Sequence, residues 1–415
     1  INLNQIIRNV AFIEAEMSKK STISHIPVGN GDMTLMKIAS NDTYHYVLVD
    51  MHIRQNGEPD DDKCDALAAL HDLLDKDDEG RPYVDVLILT HPDEDHIRGF
   101  RENFHRGSPD DYVAPKDGEN GKIFVREIWS SPLIFRRKSK NNSLCKDATA
   151  FNTEAKRRVE LYKAEKQIGR QGDRIRLIGE DEDGKTDEIL DIVYQNEDVI
   201  DTLNEVYIKE LSARALGPLA DDEFEDNTSP DKNRSSIVIQ WGLASHGYSL
   251  PSNYILLAGD ASVEVWDVLW DKYKNNTDIL QYDILLAPHH CSWHTLSHDS
   301  FSDTDNPQVS EDAKSALGEA RPGAVIVSSS DEIEDDENDP PNYKAMKEYE
   351  SITDENDGTF QCLADYKPSN GKAPEVLTYK LTNSGPQEEE KTSEASSGTA
   401  KKAARTAATG TLFTG

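Results

Sequence analysis

The feature of this sequence that most restricts its fold is a set of short hydrophobic runs, each of which leads into a histidine or an aspartate. The runs cover Asp85 to Thr90, Tyr254 to Leu257 and Asp283 to Leu286, and their length is typical of buried strands. A helical pattern, Val263 to Tyr273, lies between the second and third runs. Strands that alternate with helices in this way predict an α/β layered fold.

The same periodicity predicts further elements on both sides of these runs. We expect His25 to Ile38 and Tyr44 to Val49 to form a hairpin, and Cys64 to Leu74 to form a helix. Near the end, Thr359 to Leu363 and Val376 to Leu381 are predicted to be a closing pair of strands. The other predicted elements are strands at Ile123 to Trp129, Ser236 to Trp241 and Ala324 to Val327, and helices at Glu154 to Ile168 and Asn342 to Tyr349.

The chain divides into one expected catalytic domain, residues 23–385, and two flanking segments. Residues 1–22 are interpreted as an N-terminal extension. Residues from about 101 to 230 have the least regular pattern, and we interpret them as an insertion with peripheral elements. Residues 386–415 are rich in Glu, Ala, Ser, Thr and Gly without apolar periodicity, so burial cannot offset the entropy of ordering them. We therefore expect a flexible C-terminal tail.

The charge of the chain bears on its partners. A formal net charge of −33 should repel polyanions in general. Between Arg136 and Arg176, however, thirteen basic residues stand against five acidic ones. This basic island is either a surface that follows phosphates or a solvated helix face that balances acidic neighbours. On the first interpretation, Arg136, Arg137, Lys138 and Arg157 contact the substrate.

Composition also bears on the cellular compartment. The mean hydropathy is −0.69, and no apolar run approaches the roughly 18 residues that a bilayer span needs. No cationic segment followed by an apolar stretch opens the sequence, and the four cysteines are far apart without a CxxC pair. These features predict a soluble cytoplasmic protein without a membrane partner.

The decisive stretch is LILTHPDEDH, in which a hydrophobic strand leads into His91, Asp93, Asp95 and His96. Imidazole nitrogen and carboxylate oxygen are the ligands that zinc, manganese and iron accept. A solvated acidic loop is the alternative interpretation. Two more runs end in the same residue types, with Asp260 after NYILLAG and His289 and His290 after DILLAP. A carboxylate such as Asp260 can bridge two cations, although taken alone it is more often a helix cap.

Six motifs in this order resemble a known family. They are VGNGD (28–32), VLVD (47–50), LTHPDEDHIRGF, NRSSIVI (233–239), LLAGD and APHHCS. Together they resemble the metallo-β-lactamase domain of the ComEC-like DNA-uptake hydrolases, over roughly residues 23 to 383. The resemblance implies an αββα sandwich with a metal site at one edge, here with an insertion and a flexible C-terminal tail.

The resemblance also implies one or two divalent metal ions and assigns their ligands. His91 and Asp93 would hold one ion and Asp95 and His96 the other, with Asp260 between them and His289 completing the set. Asp93 stands where the general superfamily motif has a second histidine. The site is therefore richer in oxygen, which favours manganese or magnesium more than an all-nitrogen site does, while zinc stays open.

Other residues receive expected roles around this site. Asp32 and Asp50 are expected to fix loops, and Asn233 and Ser236 to line the pocket. His290 is expected either to contact substrate phosphate or simply to pack. His294, in a histidine-rich loop, either protonates a leaving group or is solvated.

The sequence departs from the family pattern at three points. Cys291 replaces the glycine of the PHHGS motif, so the backbone there is expected to turn differently. Asp339-Pro340 stands where the family has His-Pro, so a substrate-contacting histidine is expected to be missing. The membrane channel of DNA-uptake proteins is absent from this chain.

The function implied is a metal-dependent phosphodiester hydrolase, most readily a nuclease that cleaves DNA with a water activated by the metal ions. Asp95 would orient that water, and His290 and His294 are the other expected catalytic residues. One alternative is a hydrolase of a small phosphodiester or ester, of the cyclic nucleotide or phosphorylcholine type. Another is an effector subunit that a protein partner activates within a larger complex.

Overall fold

The structure is a computed structural model that describes residues 19–389, except for 55–61, 117–118, 133–143, 180–183, 185, 221–222, 225–231, 246–247, 303–305 and 369–370. Three expectations therefore lie outside the described residues, wholly or in large part. They concern Arg136, Arg137 and Lys138, most of the N-terminal extension, and residues 390–415 of the tail.

The described chain is a mixed α/β structure. Its strands are β1 (Thr22–His25), β2 (Thr34–Ser40), β3 (Thr43–Val49), β4 (Met51–His52), β5 (Tyr83–Leu89), β6 (Phe124–Ser130), β7 (Arg174–Ile178), β8 (Val193–Tyr194), β9 (Val199–Ile200), β10 (Thr202–Leu203), β11 (Val206–Tyr207), β12 (Leu211–Gly217), β13 (Val238–Leu243), β14 (Asn253–Leu257), β15 (Tyr282–Leu286), β16 (Ala320–Ser328), β17 (Thr359–Cys362), β18 (Leu377–Thr382) and β19 (Gly385–Glu388).

Helices connect many of these strands. They are α1 (Ala66–Leu73), α2 (Glu94–Ile97), α3 (Phe100–Asn103), α4 (Lys146–Glu165), α5 (Val263–Tyr273), α6 (Glu311–Leu317) and α7 (Tyr343–Glu355). Short 3-10 helices cover Pro109–Asp111, Asp187–Ile192, Lys232–Ser235, Thr277–Ile279, Trp293–Thr295 and Leu363–Asp365. A single turn, Pro288–Cys291, follows β15, and we call it the PHHC turn.

Two large sheets contain most of the strands. The first sheet has the order β19-β18-β1-β2-β3-β5-β6-β7-β8, and the second has the order β17-β16-β15-β14-β13-β12-β9. Each sheet is antiparallel in one part, as in β1-β2-β3 and β12-β13-β14, and parallel in another, as in β3-β5-β6-β7 and β14-β15-β16-β17. The α/β class predicted from the alternation of strands and helices is confirmed.

The side chains of the central strands serve two cores at once. All seven residues of β5 are buried, as expected for a parallel strand that is covered on both faces. Val86 and Ile88 join a core cluster that draws residues from both sheets, whereas Val84 and Leu87 join a cluster with α1 and α4. A third cluster joins the second sheet to α5, α6 and α7.

Two tryptophans mark the contact between the sheets. Trp129 in β6 and Trp241 in β13 are fully buried, and their rings stack with centroids 6.1 Å apart and planes 7° from parallel. Both belong to the core cluster that the two sheets share. Large buried aromatic side chains contribute strongly to core stability, so this pair helps fix one sheet on the other.

The stretch from about 101 to 230 differs from its expected peripheral role. Its strands β6, β7 and β8 extend the first sheet, and β9 and β12 extend the second. Trp129, at the contact between the sheets, comes from this stretch. The stretch is therefore part of both sheets and is not peripheral. The sequence pattern did not predict this, because the strands are short and pair with partners that are distant in sequence.

The C-terminal part also differs from expectation in two ways. The expected closing pair is wrong, because β17 lies at the edge of the second sheet while β18 pairs with β1 in the first. The expected start of the tail at 386 is too early, since β19 (Gly385–Glu388) pairs antiparallel with β18. Edge-strand hydrogen bonds to β18 order residues whose composition alone predicts flexibility.

Two further observations concern the cysteines and the helices. All four cysteines lie in the described residues, and none forms a disulfide. No helix in the described ranges has the length and apolar character needed to cross a membrane.

The tryptophan contact generates a test of the fold. We expect Trp241→Ala to lower the free energy of unfolding by about 3–5 kcal/mol, because it leaves a cavity between the sheets. Trp241→Phe should cost clearly less, since it retains an aromatic ring. Urea denaturation measures both, and a loss below about 1 kcal/mol for the alanine variant would contradict this account of the core.

Candidate metal centre

The candidate site lies where three strands end. His91 follows β5, Asp260 follows β14 and the PHHC turn follows β15. β14 and β15 are parallel neighbours, so their carboxyl ends share one edge of the second sheet. The end of β5, in the first sheet, meets them there. Loops at strand ends on a rigid scaffold are where an α/β protein commonly builds a site.

A glycine permits this close approach of the two sheets. Gly259, directly before Asp260, has a φ of +51°, and a Cβ there would lie 2.6 Å from Thr90 Oγ1. A side chain would therefore push the segment before His91 away from the segment before Asp260. Gly259 also accepts a hydrogen bond from the backbone amide of His289 at 3.0 Å, which ties the PHHC turn to the same point.

Asp260 is the centre of the cluster. Its carboxylate is 1% exposed and touches a histidine ring on each side. Oδ1 lies 2.9 Å from His96 Nε2 and 3.7 Å from His290 Nε2. Oδ2 lies 3.2 Å from His91 Nε2 and 3.6 Å from His289 Nε2. One carboxylate thus divides four imidazoles into two pairs.

Each pair has a carboxylate of its own. Asp95 Oδ2 lies 3.4 Å from His290 Nε2, and Asp93 Oδ2 lies 3.8 Å from His91 Nε2. We call Asp95, His96, His290 and Asp260 Oδ1 the His96 half, and Asp93, His91, His289 and Asp260 Oδ2 the His91 half. The Asp93 and Asp95 side chains are 24% and 37% exposed, so the cluster opens to solvent on their side.

The PHHC turn explains how two adjacent histidines reach the same carboxylate. His289, His290 and Cys291 all have left-handed backbone angles, with φ of 52°, 54° and 66°. Each non-glycine residue in this region costs roughly 1–2 kcal/mol, so the surrounding contacts must hold the turn. Cys291 keeps the positive φ that a glycine there would adopt easily. The backbone at Cys291 is therefore left-handed, a conformation that glycine adopts without strain.

Two carboxylates support the His96 half from behind. Asp50 Oδ2 accepts a hydrogen bond from His96 Nδ1 at 2.8 Å and another from the Thr90 hydroxyl at 2.5 Å. Asp32 Oδ1 lies 3.3 Å from His290 Nδ1. Carboxylates on the Nδ1 side orient the rings so that Nε2 faces Asp260, which is how metal-binding histidines are commonly held. Asp32, His96, Asp260 and His290 are also a buried group whose possible ligand atoms all lie within 4.8 Å of one another, so Asp32 could hold a metal ion as well as fix a loop.

The buried donors around Asp260 have no other partners. Among the described residues, the Nε2 atoms of His91, His96 and His290 and Oδ1 of Asp260 are buried without a hydrogen bond. The contact between His96 and Asp260 is close but is not aligned as a hydrogen bond. Buried polar atoms in folded proteins are nearly always satisfied, and imidazole nitrogens and a carboxylate oxygen that converge on one point without hydrogen bonds offer the lone pairs that a cation needs. The residues present therefore fit one or two divalent metal ions.

The carboxylates of the cluster raise the pKa of two of its histidines, and the histidines lower the pKa of Asp260. Burial acts to lower the pKa of His290, but Asp32 and Asp260 raise it to about 10. Asp260 and Asp50 likewise overcome burial and raise the pKa of His96 well above its usual range. Although burial opposes it, the surrounding histidines hold the pKa of Asp260 well below its usual value. In contrast, burial lowers the pKa of His289.

The expected substrate and proton-transfer residues differ in burial and in the groups that they contact. His294 is half exposed, and its Nε2 lies 3.8 Å from Asp339 Oδ2. Asn233 and Ser236 are buried, and the amide of the next residue, Ile237, donates to the Thr90 carbonyl beside the site. His290 is fully buried, which places it with the candidate ligands and away from the opening.

Arg157, expected to contact substrate, is not at the cluster. Its guanidinium binds Glu154 and Asp173 at 2.6 Å each. It lines a cavity of about 780 Å³ that contains none of the candidate ligands. Arg158 and Arg170 are likewise paired with carboxylates. These three arginines are therefore held by carboxylates and not by the cluster around Asp260.

Sequence reasoning did not assign a ligand position to His290 or a role to Asp32 in orienting it. The available signals were the tandem histidines and the VGNGD motif. Adjacent residues usually point in different directions, so only the left-handed PHHC turn reveals that both rings reach Asp260. The contact between Asp32 and His290 joins residues 258 positions apart, which no local pattern predicts.

Comparisons with known proteins add little to this geometry. No family model and no curated protein matches the sequence. A crystal structure of a protein of unknown function from Enterococcus faecalis V583 is similar to the chain at 11% identity, covering 83% of this chain and 77% of that one with a TM-score of 0.27. Similarity at that level carries no argument about fold or activity.

The shifted histidine generates a pH prediction for the metal-free chain. The pKa of His290 is about 10 when folded and near 6.5 in an ordinary histidine. Its protonation therefore stabilises the fold fully below about pH 6.5, and that stability is lost as pH rises toward 10. We expect the free energy of unfolding of chelator-treated protein to fall over this range, and to fall less in His290→Gln. Equal slopes for both proteins in urea denaturation would contradict the prediction.

Proposed function

We propose that this chain is a metal-dependent phosphodiester hydrolase whose metal centre is the cluster around Asp260. The single observation that carries the proposal is the convergence of buried, unsatisfied nitrogen and oxygen atoms on the two oxygens of one carboxylate. Two neighbouring cation positions that share a carboxylate are typical of enzymes that displace an oxygen at phosphorus. We propose one or two ions, with manganese or zinc as the first candidates and magnesium as another.

We further propose the metallo-β-lactamase αββα architecture of the ComEC-like hydrolases for this domain. Two features support it. The core cluster shared by the two sheets lies between clusters that join each sheet to helices. The motifs that carry the resemblance supply the residues at the strand ends, with Asp50 after β3, His91 after β5 and Asp260 after β14.

The proposed chemistry divides between the ions and the side chains. Bound divalent cations would lower the pKa of a coordinated water and offset the charge of the phosphate oxygens. Asp95, on the open side of the cluster, accepts a hydrogen bond from the attacking water and so orients it. Asp50 and Asp32 keep the rings of His96 and His290 in place. His294, half exposed near this edge, donates a proton to the leaving oxygen.

We propose DNA as the first substrate class, because the motifs resemble those of DNA-uptake hydrolases. Of the expected substrate contacts, however, Arg157 is paired with carboxylates away from the cluster. The remaining expected basic contacts, Arg136, Arg137 and Lys138, lie outside the described residues. A protein partner that supplies basic residues is the other way to bring DNA to this site.

A second candidate, hydrolysis of a small phosphodiester or ester, is favoured by a specific observation. Seven of the nine residues from Asp331 to Asp339 are acidic, and we call this segment the acidic loop. It is attached to the VGNGD motif, which contains Asp32, because the Asp331 amide donates to Asn30 Oδ1. It is also attached to the residues just after the PHHC turn, because Asp339 Oδ1 accepts from the Trp293 amide. Negative charge beside the centre repels a long polyanion more than a compact substrate.

The test is hydrolysis by protein that has been freed of metal and reloaded with manganese, zinc or magnesium. Labelled single- and double-stranded DNA and a small chromogenic phosphodiester are the substrates. We expect metal-dependent cleavage of at least one of them, reduced at least about 100-fold by Asp260→Asn and by Asp95→Ala combined with His96→Ala.

Asp283→Asn is the matched control, because Asp283 is also a buried carboxylate but lies at the start of β15 and pairs with Arg321. It should retain full activity if it folds. Cleavage that survives the loss of Asp260 would sink the proposal. Stoichiometric metal binding without cleavage of any substrate would point to activation by a partner.

The acidic loop gives a separate test of substrate class. Glu334→Gln, Asp335→Asn and Glu337→Gln together remove three exposed charges. If DNA is the substrate, we expect the combined variant to raise kcat/KM on DNA by about tenfold at low salt, and less at high salt, because repulsion falls. Activity on the small phosphodiester should stay unchanged. An unchanged rate on DNA would mean that the DNA path avoids the loop.

A further inference from the structure

The two halves of the candidate centre have matching donors but different surroundings. Each half has two imidazole nitrogens, one carboxylate of its own and one oxygen of Asp260. The two halves therefore offer a cation the same number and types of nearby donor atoms. What differs is the group that faces the far nitrogen, Nδ1, of each imidazole.

In the His96 half, both Nδ1 atoms face carboxylates. His96 Nδ1 donates to Asp50 at 2.8 Å. His290 Nδ1 lies at the ion-pair distance of 3.3 Å from Asp32 Oδ1, although neither atom has a hydrogen bond, whereas no such carboxylate contact is present at His289 Nδ1 in the described residues. The second oxygen of Asp32 is 3.9 Å from His96 Nδ1, so Asp32 spans both rings. A carboxylate on Nδ1 makes the opposite nitrogen more basic and fixes its direction, and its loss typically costs 10–100-fold in metal affinity.

In the His91 half, neither Nδ1 atom has such support. His91 Nδ1 lies 3.2 Å from the hydroxyl of Thr90, which itself donates to Asp50. His289 Nδ1 is buried without a hydrogen bond, and the His289 side chain is 16% exposed. Among the described residues, no carboxylate lies within ion-pair distance of either Nδ1 atom, and Asp339 acts on His289 only from farther away. These rings are therefore oriented less firmly than those of the His96 half.

The shared carboxylate couples the two halves. A cation that binds one oxygen of Asp260 withdraws charge from the other oxygen, and two divalent cations about 4 Å apart repel each other. Whichever half binds first therefore weakens the other. The difference in support behind the rings then decides the order.

We propose that the centre fills in a fixed order, with the His96 half first, and that Asp32 is a positioning residue that sets this order through His290. The inference rests on the proposed function only in requiring that the cluster bind metal. Asp32 acts from behind the ring: its oxygens face the Nδ1 atoms, whereas the Nε2 atoms face Asp260. The expected affinity ratio between the halves is at least about tenfold.

The test is titration of the full, chelator-treated chain with manganese alone, with free ion measured by electron paramagnetic resonance. We expect two binding events that differ at least about tenfold in Kd. The first equivalent should give the spectrum of an isolated ion. The second should bring the coupling between spins that a carboxylate bridge through Asp260 allows.

Three variants identify which half is which. Asp93→Asn removes a donor of the His91 half, so it should abolish the weaker event and leave the tighter one. Asp32→Asn keeps the size of the side chain but removes its charge, so it should weaken the tighter event by about 10–100-fold and leave the weaker one. Asp283→Asn, remote from the cluster, should change neither. Unfolding temperatures of the metal-free variants show whether each one folds.

Several results would overturn the inference: two events of equal affinity, loss of the tighter event in Asp93→Asn, or equal weakening of both events in Asp32→Asn. The last result is what a merely structural role of Asp32 predicts. Failure of the inference is distinguishable from failure of the proposed function. Ordered binding without hydrolysis refutes only the function, whereas hydrolysis with two equivalent sites refutes only the order.

Discussion

The buried carboxylate of Asp260 is the interaction on which the rest of this structure depends. A lone carboxylate at that depth would carry a large desolvation cost unless cations or hydrogen-bond donors surround it. Four histidine rings do so, two on each oxygen. They come from two segments, which follow strands of different sheets. The contacts of Asp260 with these rings therefore hold the end of β5, in the first sheet, against the ends of β14 and β15, in the second.

The burial of Asp260 among these rings accounts for several local backbone conformations that by themselves raise the free energy of the folded chain. The PHHC turn holds three non-glycine residues in left-handed conformations, and Gly259 leaves no room for a side chain against Thr90. Strain of this kind is commonly found at functional sites, where the surrounding structure holds it in place. Here the tertiary contacts of the turn do so. The amide of Asn342 donates to the Cys291 carbonyl, and the amide of Trp293 donates to Asp339.

The charge distribution links the site to its partners. The cluster gathers carboxylates that a cation would neutralise, while the acidic loop beside it keeps its charge in solvent. Three described arginines of the basic island, Arg157, Arg158 and Arg170, are paired with carboxylates. Their charge is therefore already balanced by neighbouring carboxylates.

The sequence by itself determined the α/β class, the strands β5, β14 and β15, and the chemistry at their ends, because buried strands and metal-ligand residues leave local signatures. It correctly placed His91, Asp260 and His289 at strand ends. Only the tertiary structure decided that β17 and β18 belong to different sheets, that residues 101–230 build both sheets, and that Asp32 faces His290. Such pairings join segments far apart in the chain. They are set by which surfaces pack together, and no local pattern encodes that choice.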